Sequence, residues 1–159
     1  MITKKLQDAI NEQINAEMWS ANLYLSMSFY FDKLGLTGAA SWMKKQHGEE
    51  IEHACKMADF LVKREGTAEV RGLNVVPTGW GTPLEVFEHA YKHECHVSEL
   101  IDRLVDLAIA EKDRATEEFF REFVREQVEE EANALEIVDK FKFAGTTGIL
   151  YVDSYLGKR

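Results

Sequence analysis

Gly66-Thr67-Ala68-Glu69-Val70-Arg71-Gly72-Leu73-Asn74-Val75-Val76-Pro77-Thr78-Gly79-Trp80-Gly81-Thr82-Pro83 is the stretch on which the fold turns. It holds both of the chain's prolines and four of its ten glycines, so no helix crosses it. On either side, helix-forming residues carry apolar positions that recur at three and four. The chain therefore reads as all-α, two helical halves around one long connection. The first half breaks at Leu34-Gly35-Leu36-Thr37-Gly38, a glycine-bracketed turn. The second breaks at Glu111-Lys112-Asp113-Arg114, where Asp113 or Thr116 serves as an N-cap. Thr82-Pro83-Leu84-Glu85 is a cleaner start, with Thr82 as N-cap, Pro83 at the first helical position and Glu85 closing a capping box. Gly145 and Gly148 end the last long helix and leave a short one after it.

The predicted helices are α1 (4–33), α2 (38–65), α3 (83–112), α4 (115–144) and α5 (149–156). Short connections make α1–α2 and α3–α4 antiparallel hairpins. The α2–α3 link of about 17 residues reaches roughly 55 Å when extended, enough to run the ~40 Å length of a helix. The expectation is a four-helix bundle with one long crossover between α2 and α3, in a single domain spanning 1–159.

Bulk properties narrow the function classes. At 159 residues, 45% hydrophobic and 30% charged, the chain reads as soluble and globular. Met1-Ile2-Thr3-Lys4-Lys5 runs into a polar amphipathic stretch without the apolar segment of a signal peptide. No apolar run approaches the ~20 residues of a membrane span. Cys55 and Cys95 are too few and too isolated for a disulfide framework or a zinc site, so a reduced, cytoplasmic setting is expected. A net charge of −9 and a pI near 5.1 speak against nucleic acid as a partner and favour attraction of cations.

The chemistry lies on the core stripes. Along α1 the stripe reads Ile10, Ile14, Glu17, Ala21, Tyr24, Ser28, Phe31; along α2, Met43, Gln46, Glu50, His53, Met57, Phe60. Along α3 it reads Phe87, Ala90, Glu94, Val97, Ile101, Leu104, Ala108; along α4, Phe120, Phe123, Gln127, Glu130, Ala134, Ile137, Phe141. One glutamate on an apolar stripe is unremarked, since it can snorkel to the rim or pair with a cation. Four at matching depth are different. Glu17 lies about sixteen residues before the α1–α2 turn and Glu50 about twelve after it, with Glu94 and Glu130 similarly placed about the α3–α4 turn.

Each unpaired buried carboxylate costs several kcal/mol, and no Lys or Arg falls on these stripes near that level. Bound metal cations remain as the compensation. Glu50-x-x-His53 puts a carboxylate and an imidazole on one helix face at i and i+3. Hard oxygen ligands with one imidazole suit iron, manganese or zinc, and the spacing does not choose among them.

At this point the chain resembles a prokaryotic non-haem ferritin over essentially its whole length. The resemblance rests on Asn11-Glu12-Gln13-Ile14-Asn15-Ala16-Glu17 with Tyr24, on Gly48-Glu49-Glu50-Ile51-Glu52-His53, on Tyr91-Lys92-His93-Glu94, and on Glu126-Gln127-Val128-Glu129-Glu130-Glu131. It implies a ferritin-like bundle, an iron-storing shell of twenty-four subunits with α5 near a fourfold axis, and oxidation of Fe(II) by O2 or H2O2. Glu17 and His53 match ligands of the first ferroxidase iron and Glu50 the bridge. Glu94 and Glu130 match ligands of the second, Gln127 its polar neighbour and Tyr24 the nearby tyrosine. Glu49, Glu126 and Glu129 match a possible third iron site, against the alternative of a solvated acidic face. Asp113 and Glu117 fall where such shells line threefold channels, although acidic helix N-termini also occur for dipole reasons.

Two departures refine the expectation. Rubrerythrins and bacterioferritins carry a second Glu-x-x-His on the fourth helix; here the place reads Gln127-Val128-Glu129-Glu130, so the second iron should be held more weakly. Where bacterioferritins put their haem-binding methionine stands Ile51, so no haem is expected. His47, His89, His93 and His96 read as surface or packing histidines, Cys55 and Cys95 as free thiols. Phe29, Phe31, Trp42, Phe119, Phe120 and Phe123 read as core or interface. The runner-up function is a rubrerythrin-like di-iron peroxidase or oxidase acting as a small oligomer. Against it, this chain has neither the second Glu-x-x-His nor a rubredoxin-like Cys-x-x-Cys. A DNA-protecting mini-ferritin would place its metal between subunits, and a metal-free helical interaction protein leaves the four glutamates unexplained.

Overall fold

A computed structural model describes residues 1–159. The elements are α1 (Lys4–Lys33), α2 (Thr37–Lys63), α3 (Pro83–Ala110), α4 (Arg114–Ala144), a 3-10 turn (Thr146–Gly148) and α5 (Ile149–Leu156). α1 packs along α2 and α3 along α4, α1 also meets α3, and α5 folds back onto α2 and α4. No helix is long and apolar enough to cross a membrane.

Three of the long helices end in the same way. After α1, Gly35 takes a left-handed φ of 78°, with Leu36 N–H donating to Phe31 and Gly35 N–H to Asp32. This Schellman ending normally places glycine at the left-handed residue. After α2 and α3 the same pair of bonds forms around Glu65 (φ 62°) and Lys112 (φ 57°). The structure therefore corrects the expected ends: α2 stops at Lys63 rather than 65, and α3 at Ala110 rather than 112. Neither left-handed residue is a glycine, although a left-handed side-chain residue costs roughly 1–2 kcal/mol. The starts also shift by one residue, to Thr37 and Arg114.

Caps fix the other ends. Thr82 and Glu85 form the expected capping box, and Asp113, not Thr116, caps α4. Asp113 also pairs with Arg64 at 3.0 Å, and Glu117 is held by Arg114 and Arg121, so both channel candidates are engaged by arginines of their own chain. α2 has no local cap. Asp153 of α5 supplies it, accepting from Ala39 N–H at 2.7 Å and Gly38 N–H at 3.2 Å. Gly38 makes this approach possible, because a Cβ there would lie 1.9 Å from the Asp153 carbonyl oxygen. Gly38→Ala is accordingly expected to push α5 off α2 and destabilise the fold by about 2 kcal/mol, combining a lost cap with overpacking. Thermal unfolding of the variant checks this, and an unchanged Tm would mean that α5 is not anchored there.

The crossover has no regular structure yet is tied along α1. Asn11, fully buried, donates to the Thr67 carbonyl and accepts from Glu69 N–H, Gln7 accepts from Thr67 N–H, and Ser26 donates to the Pro77 carbonyl. Asn11 thus belongs to the fold rather than to the chemistry.

The apolar core is divided. One cluster gathers Leu23, Met27, Phe31, Trp42, Met43, Phe87 and Phe141 with α5; the other gathers Leu6, Ile10, Met57, Leu61, Ile101, Leu104 and Phe120. Leu61 takes the core position expected of Phe60, which instead stacks on Phe119 at 4.0 Å, partly buried. Phe29, expected in the core or at an interface, is exposed on the single chain. The sequence positions between the two clusters carry a buried polar set, Glu17, Ser20, Gln46, Glu50, Glu94 and Gln127, which buried Gln13 joins from beside Ile14.

Candidate metal centre

α1, α2, α3 and α4 each deliver one glutamate of the expected four. Glu17, Glu50 and Glu94 are buried and Glu130 is partly buried. Glu17, Glu50 and His53 each offer a ligand atom within 4.8 Å of the others. His53 Nδ1 lies 3.6 Å from Glu50 and 3.9 Å from Glu17, while its Nε2 faces Glu126 at 3.0 Å. Glu94 and Glu130 stand outside that triplet but not outside its field, since Glu94 feels Glu17 and Glu130 feels His53.

Three of the four carboxylates are steadied by a glutamine amide. Gln13 donates to Glu17 at 2.9 Å, Gln46 to Glu130 at 3.0 Å and Gln127 to Glu94 at 3.1 Å. Tyr24 also donates its hydroxyl to Glu94. Each donor holds one side of its carboxylate. Glu17 Oε2 is buried with no hydrogen-bond partner. An orphaned carboxylate oxygen beside a second carboxylate and an imidazole is completed by a cation, so the residues fit a hard metal ion.

The protonation states carry the same message. Burial and the neighbouring Glu17 push Glu50 well above the ordinary carboxylate range, with only His53 opposing. Burial also drives Glu94 up to about 7, reinforced by Glu130 against the hydrogen bonds of Tyr24 and Gln127. Glu17 is held low: burial would raise it, but His53, Glu50 and Gln13 together outweigh that. Burial opposes charge on His53 too, yet Glu17 and Glu50 lift it to about 11. Without metal the centre is a proton-sharing cluster, with His53 as its internal cation. A metal ion bound by these residues would take over that role and send the proton out.

The remaining expected residues are scattered. Glu126 touches His53, Glu49 pairs with Arg159 at 2.7 Å, and Glu129 is exposed. His93 bonds Ser20 at 2.7 Å against Trp19, His47 bonds the Ala21 carbonyl and His89 faces Trp80. Cys55 and Cys95 are free. Gln13 and Gln46 were not singled out by the stripes as members of the site. For Gln13 the spacing carries a signal, since it stands four residues before Glu17 on the same helix face, whereas Gln46 bonds Glu130 across to α4 and has no such signal.

Comparison with known proteins agrees. A family model described as "Ferritin-like domain" matches residues 7–144. A bacterial non-heme ferritin of Bacteroides fragilis is 65% identical over 159 residues, covering 100% of both chains. One of Campylobacter jejuni is 36% identical over 98% of this chain and 95% of that one. Among solved structures, an open pore ferritin from Archaeoglobus fulgidus superposes with a TM-score of 0.98 at 46% identity, over 100% of this chain and 99% of that one. With the same four helices, the same long crossover and matches of this extent, the chain belongs to the ferritin family.

Proposed function

We propose that this chain is an iron-storage subunit that oxidises Fe(II) at the Glu17–Glu50–His53–Glu94–Glu130 centre and passes the ferric product to a mineral inside a shell of copies of itself, twenty-four by the family's pattern. The observation that carries the reading is the triplet of buried Glu17 and Glu50 with half-buried His53, with its orphaned carboxylate oxygen, in electrostatic reach of Glu94 and Glu130. The names of the relatives, bacterial non-heme ferritins, support the storage role.

Iron is the substrate here, not a resident cofactor. Glu17 and His53 bind one Fe(II), Glu94 and Glu130 the other, and Glu50 reaches both. Holding two ions side by side lets one oxidant take an electron from each. With O2 the balance is two Fe(II), one O2 and two protons giving two Fe(III) and H2O2; with H2O2 as oxidant the product is water. His53 and Glu50 give up their protons as metal enters, so the site itself supplies the acid that the reduction consumes. Gln127 favours release. Its amide nitrogen donates to the Glu94 carboxylate, the Glu94 carbonyl and Ser98, which leaves only a neutral amide oxygen where a more symmetric relative would place a charged ligand of the second iron.

Anaerobic Fe(II) loading followed by O2, with ferric absorbance and particle size read together by gel filtration, tests the proposal. The expected result is a large particle that takes up iron far beyond two per chain. A monomer- or dimer-sized particle that stops at two irons per chain would overturn storage in favour of a di-iron oxidase.

A further inference from the structure

The seven carboxylates of the centre and its rim meet no lysine at all and one arginine. Glu17, Glu50 and Glu126 face His53, whereas Glu49 is paired with Arg159. Arg159 reaches Glu49 from the other end of the sequence, 110 residues away. It follows α5, which Asp153 anchors on the start of α2. From there its guanidinium lies over the Trp42 ring at 4.6 Å, donates to the Trp42 carbonyl at 3.4 Å and to Glu49 at 2.7 Å, and Lys45 donates to its backbone carbonyl. Trp42 is itself wedged against Phe87 of the core, so the stacking surface is fixed. A planar guanidinium held by an aromatic face and a carboxylate together is a built placement rather than a loose surface pair.

We propose that Arg159 is an internal cation that occupies the Glu49 carboxylate until a metal ion displaces it, and that it thereby sets the affinity of the outer metal position. The inference rests on the reading of Glu49, Glu126 and Glu129 as that outer position. Arg159 is a positioning residue: it never contacts the metal but competes for the carboxylate that does. The consequence is an order of filling. The buried pair loads first, because its carboxylates have only His53 to shed, and the outer ion enters when it can expel a guanidinium from both a carboxylate and an indole face.

The test is a Zn(II) titration of the assembled, iron-free protein, with heat and tryptophan emission recorded together, since Zn(II) is redox-inert. Wild type, Arg159→Ala, Arg159→Lys and Glu49→Gln are compared. In Arg159→Ala the last equivalent is expected to bind about fivefold tighter, with earlier equivalents unchanged. Arg159→Lys should fall between, since it keeps the charge and loses the fork. In wild type the last equivalent should change tryptophan emission as the guanidinium leaves Trp42, and Arg159→Ala should lose that change. Superimposable isotherms for wild type and Arg159→Ala, with the last equivalent abolished by Glu49→Gln, would overturn the Arg159 proposal alone. A last equivalent that survives Glu49→Gln would overturn the outer position and the proposal with it.

Discussion

Glu50→Ala is expected to lower the initial rate of Fe(II) oxidation by roughly two orders of magnitude, because a bridge that positions two reactants is worth about that much when it is lost. Of the four stripe glutamates it is the one with no glutamine donor; its contacts are Glu17 and His53. It is also the one that reaches both halves, feeling Glu17 on one side and Glu94 on the other. Without it each half can still bind iron, yet nothing holds two ions at one spacing. His53→Ala should produce a comparable loss by removing the nitrogen ligand and the cation that keeps Glu17 ionised. The fold should not suffer in parallel. Glu50 is buried, and its neighbours raise the cost of ionising it, so Glu50→Gln keeps the volume, removes the repulsion and adds a donor. Its metal-free Tm should equal or exceed that of the parent, the usual conflict between activity and stability at a site. Stopped-flow ferric absorbance, with melts of the metal-free proteins, reads both effects. Oxidation within about threefold of wild type in both alanine variants would place the chemistry elsewhere.

That conflict is also why the site was legible. A core stripe is a periodic signal, and glutamates that break it at matched depth on four helices are visible without coordinates. So were the crossover, through Pro77 and Pro83, and the Thr82–Glu85 capping box, since each uses residues adjacent in sequence. What escaped depends on distant partners. α2 looks uncapped because its cap, Asp153, comes from α5. Its far end looks two residues too long because Glu65 accepts the conformation usually left to glycine. Phe60 and Leu61 compete for one core position, and only the rotation of α2 against α4 decides for Leu61. At the site, only the Gln13 bond to Glu17 has a local trace, in its i, i+4 spacing; the Gln46 bond to Glu130 crosses from α2 to α4, and the hold of Arg159 on Glu49 spans 110 residues.

Metal-free protein is expected to lose stability as pH rises from 5 to 8, the reverse of a protein whose carboxylates are all salt-bridged. Glu94 titrates at about 7 in the folded state and near 4.5 unfolded, and Glu50 shifts in the same direction. Between those values the folded chain holds protons that the unfolded chain has lost, so stability falls with rising pH. His53 works in the same sense over a higher window. Its folded value of about 11 exceeds the unfolded 6.5, so its contribution is complete below 6.5 and declines as pH climbs towards 11. Glu17 and Asp113 are depressed, and their contribution is lost only as pH falls below the ordinary carboxylate range. The optimum should therefore lie near pH 5. Glu94 alone accounts for a change of the order of 3 kcal/mol, a large share of the roughly 5–15 kcal/mol that a domain commands. Metal reverses the trend, because it binds the deprotonated folded site and binds it better as pH rises. Adding a chelator should thus cost more Tm at pH 8 than at pH 5, measured at one protein concentration with assembly held constant. Glu94→Gln should flatten the metal-free slope. A metal-free Tm that rises from pH 5 to 8, or a slope unchanged in Glu94→Gln, would show that these carboxylates are not sharing protons in a buried centre.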